Sequence, residues 1–358
     1  MTKHPGWPVP ATPVAQVTLA FGPDCDRDTL GNFSAGSRIG DALFLGADEH
    51  GCLERLSRVK SGHFAGHVRY NLCDLLELAD PDGEIDIEGL AVDEDWLWIV
   101  GSHARTRPKV RKADDRCIDL DALANLKDTR SRCLLARLPL VPDAGGVPEP
   151  VRHAGKRRAG LLKQTKHGNA LAEALAADPL LKPFTRVPAK EGGLDVEGIA
   201  VCDNRVALGL RGPVIGSDAV LLEVEIKTKK GGALHLVGDP VKRLLDLEGL
   251  GIRDLKRCGD DLLILAGPTT GLSGPCALYR WRDWANDPPQ DARKVRLHQP
   301  ERVIDLPFGR GVDHPEGLAL WEEGGARRGV LVIYDSPAEA RVDRKKGTID
   351  ADLFQLPD

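Results

Sequence analysis

The sequence predicts an all-β protein, a five-bladed β-propeller, and three observations favour this fold. A carboxylate, Glu-Gly and a short apolar run recur as EIDIEGLAV, GGLDVEGIAV, RLLDLEGLGI and GVDHPEGLAL. Each copy is followed by short β-type segments separated by Gly, Pro and Asp turns. No helical crossover separates these segments, so consecutive strands are expected to pair as antiparallel meanders.

The spacing of the copies indicates the number of blades. The four glutamates are Glu88, Glu197, Glu248 and Glu316, and a weaker upstream copy has Ala35-Gly36 in place of Glu-Gly. Glu197 and Glu248 are about 50 residues apart, a period typical of propeller blades. Glu88 and Glu197 are about twice as far apart, so a six-bladed ring is the alternative. The segment 13–21 is expected to supply the outer strand of the last blade and so close the ring.

The long interval is better explained by insertions within the second blade of a single domain that spans residues 1–358. The insertions are 105–131 and 141–190, where 118–126 and 168–177 have apolar residues at helical spacing. Asn169 is the expected N-cap of the second helix.

Each insertion carries a basic run, RTRPKVRK at 105–112 and RHAGKRRAG at 152–160. Such runs are typical of solvated loops, with anion binding as the alternative.

The repeated motif divides into an architectural half and a polar half. Strand alternation places Asp195, Glu197, Ile199 and Val201 on one face. The innermost strand of a blade is crowded, and the small residues Gly198 and Ala200 suit close backbone approach there. The carboxylates precede the apolar run, so they are expected at the mouth of the central channel.

Seven carboxylates are therefore predicted to meet at this mouth. They are Asp86, Glu88, Asp195, Glu197, Asp246, Glu248 and Glu316. Like charges this close require compensation. Ca²⁺ or another divalent cation is one candidate, with these carboxylates as metal ligands. Arginine and lysine side chains from neighbouring loops are the other.

Loops that leave the second strand of each blade open on the same face as the carboxylates. They contribute the candidate ligand-binding residues Asp48, His103, Arg105, Arg211 and Asp335. Arg211, in a Gly-Leu-Arg-Gly-Pro turn, is expected to pair with a carboxylate or with the phosphate or carboxylate of a substrate.

The last copy differs from the others, because His314 stands two residues before its glutamate. A histidine beside carboxylates suits a general base or a metal ligand, and a surface histidine is the alternative. His314 and Glu197 are the candidate catalytic residues.

Composition narrows the function classes. The net charge of −5 gives no electrostatic attraction to nucleic acid or anionic membrane surfaces. No apolar stretch is long enough for a membrane span, and prolines interrupt the N-terminal segment where a secretory signal would lie. Eight scattered cysteines without a C-x-x-C pair indicate reduced thiols, so a cytoplasmic location is expected.

Two family resemblances rest on these motifs. The GLDVEG and GLRGPV block resembles a bacterial propeller family catalogued as a domain of unknown function. The E-G-[LI]-[AS] phrases are more loosely similar to phytase-like propellers, a resemblance that implies calcium and hydrolysis of phosphate esters.

Three hypotheses for function follow. The first is binding of a divalent cation or a small polar or anionic ligand at the channel mouth. The second is metal-assisted hydrolysis of phosphate esters, with Arg105 and Arg211 holding the anion. The third is a protein-interaction scaffold with an unknown protein partner.

Overall fold

The computed structural model describes residues 8–26, 29–47, 51–108, 119–127, 129–288, 294–323 and 327–357, and the fold is all-β and propeller-like. The strands begin with β1 Ala15–Ala20, β2 Phe33–Ile39, β3 Ala42–Ala47, β4 Cys52–Lys60, β5 His63–Asn71, β6 Ile87–Asp93, β7 Trp96–Gly101 and β8 Leu135–Pro142. They continue with β9 Pro148–Pro150, β10 His153–Ala154, β11 Arg157–Arg158, β12 Gly160–Leu161, β13 Asp195–Cys202, β14 Arg205–Ile215, β15 Asp218–Thr228 and β16 Leu234–Leu245. The remaining strands are β17 Gly251–Cys258, β18 Asp261–Gly267, β19 Cys276–Trp281, β20 Leu297–His298, β21 Glu301–Leu306, β22 His314–Glu323, β23 Arg327–Asp335, β24 Val342–Asp343 and β25 Thr348–Gln355.

Helices are few and short. The α-helices are α1 Leu72–Leu75, α2 Leu120–Ala124 and α3 Ala170–Ala177. Short 3₁₀ turns lie at Thr29–Gly31, Arg130–Arg132, Phe184–Arg186, Ala189–Glu191, Trp284–Asn286 and Glu339–Arg341. In the described ranges, no helix has the length and apolar character needed to cross a membrane.

Consecutive strands pair as antiparallel meanders, as the sequence predicts. The sheet orders are β12-β8-β7-β6, β13-β14-β15-β16-β20 and β17-β18-β19-β21, and β9 pairs with β8. The largest sheet has the order β2-β3-β4-β5-β1-β25-β23-β22, and β24 pairs with β25. Its two halves, β2–β5 and β22–β25, come from opposite ends of the chain.

Strand β1 joins those two halves. It pairs antiparallel with β25 from Ala15 opposite Leu353 to Ala20 opposite Thr348, so the predicted closing role of 13–21 is confirmed. It also makes a short parallel pairing with β5 at Thr18 and Leu19. The first and last parts of the chain are therefore held together by backbone hydrogen bonds.

The innermost strands lie side by side in the cyclic order β2, β6, β13, β17, β22 and back to β2. Apolar clusters fill the spaces between neighbouring sheets. The cluster between the second and third sheets also takes in Leu171 and Leu175 of α3, which packs on β16. Asn169 caps α3 as predicted, since its Oδ1 accepts a hydrogen bond from Ala172 N at 2.9 Å.

Each innermost strand has an irregular register near its start, at two points in β13 and at one point in each of the others. The residues left outside the paired register are Ser34, Glu88, Glu197 with Gly198, Arg253 and Glu316. Three of these are glutamates of the repeated motif. A bulge of this kind leaves a residue outside the ladder and redirects its side chain.

Two copies of the motif are aligned differently from the sequence prediction. In the first, Ser34 occupies the glutamate position, one residue before the predicted Ala35-Gly36. In the fourth, Glu248 and Gly249 form a turn before β17, with Glu248 at a φ of 58°, and Arg253 occupies the glutamate position. The buried apolar residues fix the register of a strand. In this copy Ile252 and Leu255 are fully buried, whereas Leu250, which directly follows Glu-Gly, is only partly buried.

Truncation of a buried side chain of β1 tests whether this strand packs between the first and last meanders. Leu19 is 1% exposed within the cluster between the first and last meanders. We expect Leu19→Ala to lower the free energy of unfolding by about 2–5 kcal/mol. Urea titration followed by tryptophan fluorescence measures it, with Val14→Ala as control because Val14 is 60% exposed. Equal stability of the two variants would contradict a packed closing strand.

Candidate functional site

The register irregularities bring charged side chains together at two cavities, which we call the first and second mouth cavities. The first has a volume of about 340 Å³ and the second about 240 Å³. Eight predicted residues line the first: Asp86, Glu88, Arg105, Asp195, Glu197, Arg211, Glu316 and Asp335. Four residues line both cavities: Lys190, Arg211, Glu316 and Asp335. The two cavities therefore adjoin along one wall.

Arg211 is at the centre of this wall. It is 9% exposed and reaches from β14 to two carboxylates of the neighbouring β13. Its Nη2 contacts Asp195 Oδ2, and its Nη1 lies 3.0 Å from Glu197 Oε1. The carboxylate pairing expected for Arg211 is thus present, and one guanidinium neutralises charge from two acids.

A second arginine, Arg253, links the next strands of the ring. Its Nε lies 3.1 Å from Glu197 Oε2, and its Nη2 contacts Glu316 Oε1. Glu197 is therefore held by arginines on both sides. The Glu-Gly pattern did not identify Arg253, because Glu248-Gly249 of this copy precede β17 and the register shift falls five residues later.

A third arginine comes from the segment that precedes β8. Arg132 Nη1 contacts Asp86 Oδ2, and Arg132 Nη2 contacts Glu84 Oε1. Arg132 lies outside the repeated motif, and Glu84 begins the stretch EIDIEGLAV but precedes the part that recurs, so neither was a predicted site residue. Internal cations thus neutralise most of the predicted carboxylates.

Burial governs the protonation of this cluster. Burial raises the pKa of Asp195 to about 6, which the charge of Arg211 opposes and that of Glu197 reinforces. Burial also raises the pKa of Asp86, against the attraction of Arg132. Burial works against the charge of Arg211, but Asp195 and Glu197 hold its pKa above the ordinary value.

Three carboxylates remain close enough to share a cation. One oxygen each of Glu88, Asp195 and Glu197 lie within 4.8 Å of one another. Carboxylate oxygens are the donors that Ca²⁺ prefers. Two of the three already pair with Arg211, so a cation would share these oxygens with a guanidinium.

His314 lines the second mouth cavity at the start of β22. Its Nδ1 is 3.7 Å from Asp335 Oδ2, and its Nε2 is buried without a hydrogen-bond partner in the described part of the chain. Asp335 also accepts a hydrogen bond from Ser336 Oγ at 3.2 Å. The distance between His314 Nδ1 and Asp335 Oδ2 is too long for a hydrogen bond, so the carboxylate lies near the imidazole without a direct bond to it.

Three other predicted residues lie elsewhere, and Asp48 lies outside the described residues. Glu248 is exposed and binds Arg302 Nη1 at 2.6 Å, while Asp246 accepts a hydrogen bond from Glu248 N at 3.2 Å. Neither lines a mouth cavity, because Glu-Gly of this copy precedes the strand. This placement corrects the prediction that Asp246 and Glu248 join the other carboxylates.

His103 is also placed away from both cavities. It is fully engaged inside the protein, with Nδ1 donating to Gly101 O at 2.8 Å and Nε2 accepting from Asn169 Nδ2 at 3.1 Å. Burial lowers the pKa of His103 to about 4, so the ring is neutral near pH 7. The structure assigns His103 to anchoring the insertion, in contrast to the predicted role in ligand binding.

A buried ion pair on β17 lies further along the inner strands than the register irregularities and contacts two of the other inner strands. Lys256 Nζ lies 2.6 Å from both oxygens of Asp254 and 3.0 Å from Leu90 O of β6. Asp254 Oδ2 accepts a hydrogen bond from Leu318 N of β22 at 2.7 Å. Burial raises the pKa of Asp254 to about 6 and lowers that of Lys256. This pair connects three inner strands.

Residues 32–352 match a family described as "Protein of unknown function (DUF3616)", and the chain belongs to this family. The resemblance drawn from the GLDVEG and GLRGPV block is thereby confirmed. The looser resemblance to phytase-like propellers stays a prediction. No curated protein matches the chain.

Solved structures similar to this chain include the glutaminyl cyclase of Myxococcus xanthus, at 14% identity, 97% coverage of both chains and a TM-score of 0.44. The α-L-arabinanase of Cellvibrio cellulosa complexed with arabinohexaose is 9% identical, with 91% of this chain and 92% of that chain covered and a TM-score of 0.38. The GH62 α-L-arabinofuranosidase of Coprinopsis cinerea is 10% identical, with coverages of 95% and 96% and a TM-score of 0.41. Likenesses this distant carry no argument about the mouth cavities.

The raised pKa of Asp195 predicts a pH-dependent stability. A folded-state pKa of about 6, against an ordinary value of 3.8, means that the folded protein binds this proton more tightly. The associated stabilisation is complete below about pH 4 and is lost as the pH rises through about 6. The free energy of unfolding of the wild type should therefore fall as the pH rises from about 4 through about 6. We expect this fall to be smaller by roughly 1–3 kcal/mol in Asp195→Asn.

Urea unfolding at several pH values between these limits measures the difference between the variant and the wild type. Asp246→Asn is the matched control, because Asp246 lies outside both cavities. A pH dependence that is the same in wild type and Asp195→Asn would contradict the assignment.

Proposed function

We propose that this member of the DUF3616 family is a five-bladed β-propeller that binds a small polar ligand with an anionic group in the mouth cavities. The cyclic order of the five inner strands supports five blades, as does the closure of the last meander by β1. The insertions follow β7 and β8 and supply no further inner strand among the described residues. A sixth blade is therefore not favoured.

The position of Arg211 carries the proposal. Its two terminal nitrogens are engaged by Asp195 and Glu197, yet its Nε has no hydrogen-bond partner among the residues that the structure describes. Buried polar groups in native proteins almost always have a partner, so an orphaned donor on a side chain lining both cavities suits a ligand acceptor. Carboxylates and phosphates are the acceptors that a guanidinium binds best.

Two other basic side chains at the mouth cavities, Lys190 and Arg105, also suit a ligand with an anionic group. Lys190 lines both cavities and has no ion pair in the part of the chain that the structure describes. Arg105 lines the first cavity and donates from Nε to Thr185 O at 3.0 Å. Because Lys190 is exposed, it can approach an incoming anion at little cost in desolvation.

The carboxylates of the same cavities supply acceptors. Glu88 and Glu316 both line the first cavity beside these cations. Hydroxyl or amino groups of a ligand would donate to them, while its anionic group faced Arg211 and Lys190. A ligand with both kinds of polar group therefore fits better than a simple anion.

Thermal melting with a panel of small polar anions tests the proposal. The panel contains inorganic phosphate, glycerol phosphate, malate and glutamate, and we expect at least one to raise the melting temperature. A ligand at a hundred times its Kd contributes about 2.7 kcal/mol to stability.

The matched variants are Lys190→Ala and Lys60→Ala, since both side chains are exposed and neither variant removes packing. Lys190→Ala should diminish the shift, and Lys60→Ala should leave it unchanged. No shift with any panel member, or a shift insensitive to Lys190, argues against the mouth cavities as the site.

A second candidate function adds a divalent cation such as Ca²⁺, favoured by the approach of Glu88, Asp195 and Glu197 within 4.8 Å. These three residues would hold the cation, and a bound cation would supply an activated water for hydrolysis of a phosphate ester. His314, whose Nε2 has no hydrogen-bond partner within the described ranges, would then serve as the proton acceptor. A cytoplasmic location is proposed alongside both functions.

Calorimetry on chelator-stripped protein with Ca²⁺, Mg²⁺ and Mn²⁺ tests this candidate. We expect Glu88→Gln to weaken cation binding at least tenfold, because it removes one of three carboxylate donors. Glu248→Gln should leave it unchanged, since Glu248 lies outside the cavities. Hydrolysis of a phosphomonoester panel should be lost in Glu197→Gln. Absence of heat with all three cations rules out the cation and the hydrolase together.

A further inference from the structure

A large cavity lies away from the channel mouth. It has a volume of about 590 Å³, within the range typical of small-molecule sites. Helix α1, the β10–β11 hairpin, strand β12 and the loop before β16 enclose it. We call it the side cavity, and it shares no lining residue with the mouth cavities.

Basic side chains dominate its lining. Arg152, His153, Arg158 and Lys163 line it, against the single carboxylate of Glu77. The chain as a whole has a net charge of −5, so this concentration of positive charge is local. It comes largely from the basic run 152–160, which the proposed function does not use.

The positive charge is only weakly neutralised. Arg152 Nη2 binds Glu77 Oε1 at 3.0 Å, but the Glu77 side chain is 89% exposed, and exposed pairs contribute little. Arg158 and Lys163 have no ion pair within the described ranges. An anion that enters the side cavity therefore meets available donors.

The walls of the side cavity are fixed by contacts outside it. Arg157, next to Arg158 on β11, donates to Asp95 O at 2.8 Å and lies over the Trp96 ring at 5.9 Å. Successive residues of a strand point to opposite sides, so this anchor leaves Arg158 to face the cavity.

The remaining walls are equally constrained. A Cβ on Gly160 would lie 1.9 Å from Gly232 O, so glycine permits β12 to touch the loop before β16. Gln164 is 8% exposed, accepts from Ala79 N at 3.1 Å and donates to Ser131 O at 3.3 Å. A preorganised wall of this kind lowers the entropic cost of binding.

We propose that the side cavity binds a small soluble organic phosphate. Arginine guanidinium groups match the geometry of phosphate oxygens, and Arg152 and Arg158 supply two of them. Leu75, Leu76 and Leu161 provide apolar surface for the organic part of the ligand. This site is independent of the ligand proposed for the channel mouth.

Titration calorimetry of the full chain with inorganic pyrophosphate and with ADP tests the proposal. We expect both to bind, ADP more tightly because it also covers the leucines, and affinity to fall with added salt. Arg158→Ala and Lys163→Ala should each weaken binding at least tenfold. Both side chains are exposed, so these variants keep their fold, which circular dichroism verifies.

Two control variants distinguish the side cavity from the mouth cavities and from a general loss of positive charge. Lys60→Ala, an exposed lysine outside the cavity, should bind as the wild type does, and Lys190→Ala reports any binding of the probe at the channel mouth. No heat with either probe would overturn the proposal, as would unchanged affinity in Arg158→Ala and Lys163→Ala. Loss of binding in Lys190→Ala would assign the anion to the mouth cavities. Sedimentation with phosphatidylserine vesicles but no binding of the soluble probes would assign it to a membrane surface.

Discussion

Backbone contact between neighbouring inner strands is the constraint on which the arrangement at the mouth depends. Gly198 has a φ of 85°, and a Cβ there would lie 2.6 Å from Leu255 N of the next strand. On the other side, a Cβ on Gly89 would lie 3.0 Å from the Cα of Gly198. Only glycine allows strands to approach this closely. In the copies at Glu88, Glu197 and Glu316, Glu-Gly is therefore one geometric unit, in which the glycine makes the contact and the glutamate lies where the register shifts.

The same crowding forces charged groups out of water, and the protein compensates with buried ion pairs. Arg211 and Arg253 reach Glu197 from other strands. The Lys256–Asp254 pair lies within β17 and hydrogen-bonds to Leu90 O and Leu318 N of two other inner strands. Removal of one partner from a buried pair typically costs about 3–5 kcal/mol, because the other charge remains buried. These pairs therefore fix the relative positions of the inner strands as well as the chemistry of the mouth. Arginine side chains of the protein itself therefore balance much of the carboxylate charge in this cluster.

The insertions that follow β7 and β8 are held against the ring of inner strands by specific side-chain contacts. Asn169 both caps α3 through its Oδ1 and donates from Nδ2 to His103, so the helix is tied to the end of β7. Because burial keeps His103 neutral, its Nε2 remains an acceptor for that bond near pH 7. The basic residues that follow β9 lie beside α1, where Arg157 donates to Asp95 O. They line the side cavity, whose charged groups are mostly basic, whereas the mouth cavities combine carboxylates with arginines.

The sequence by itself determined the β meanders, the closing strand β1, the cap at Asn169 and the placement of Glu88, Glu197 and Glu316 at the mouth. Each of these features follows from local periodicity or from a repeated motif, because it depends only on residues that are close together in the sequence. Only the tertiary structure decided the partners of those glutamates, because Arg132, Arg211 and Arg253 reach them from other strands or loops. It also excluded Glu248 and His103 from the mouth. The register of a buried strand follows its apolar run, and the direction of a side chain after a turn depends on backbone angles that no residue pattern specifies.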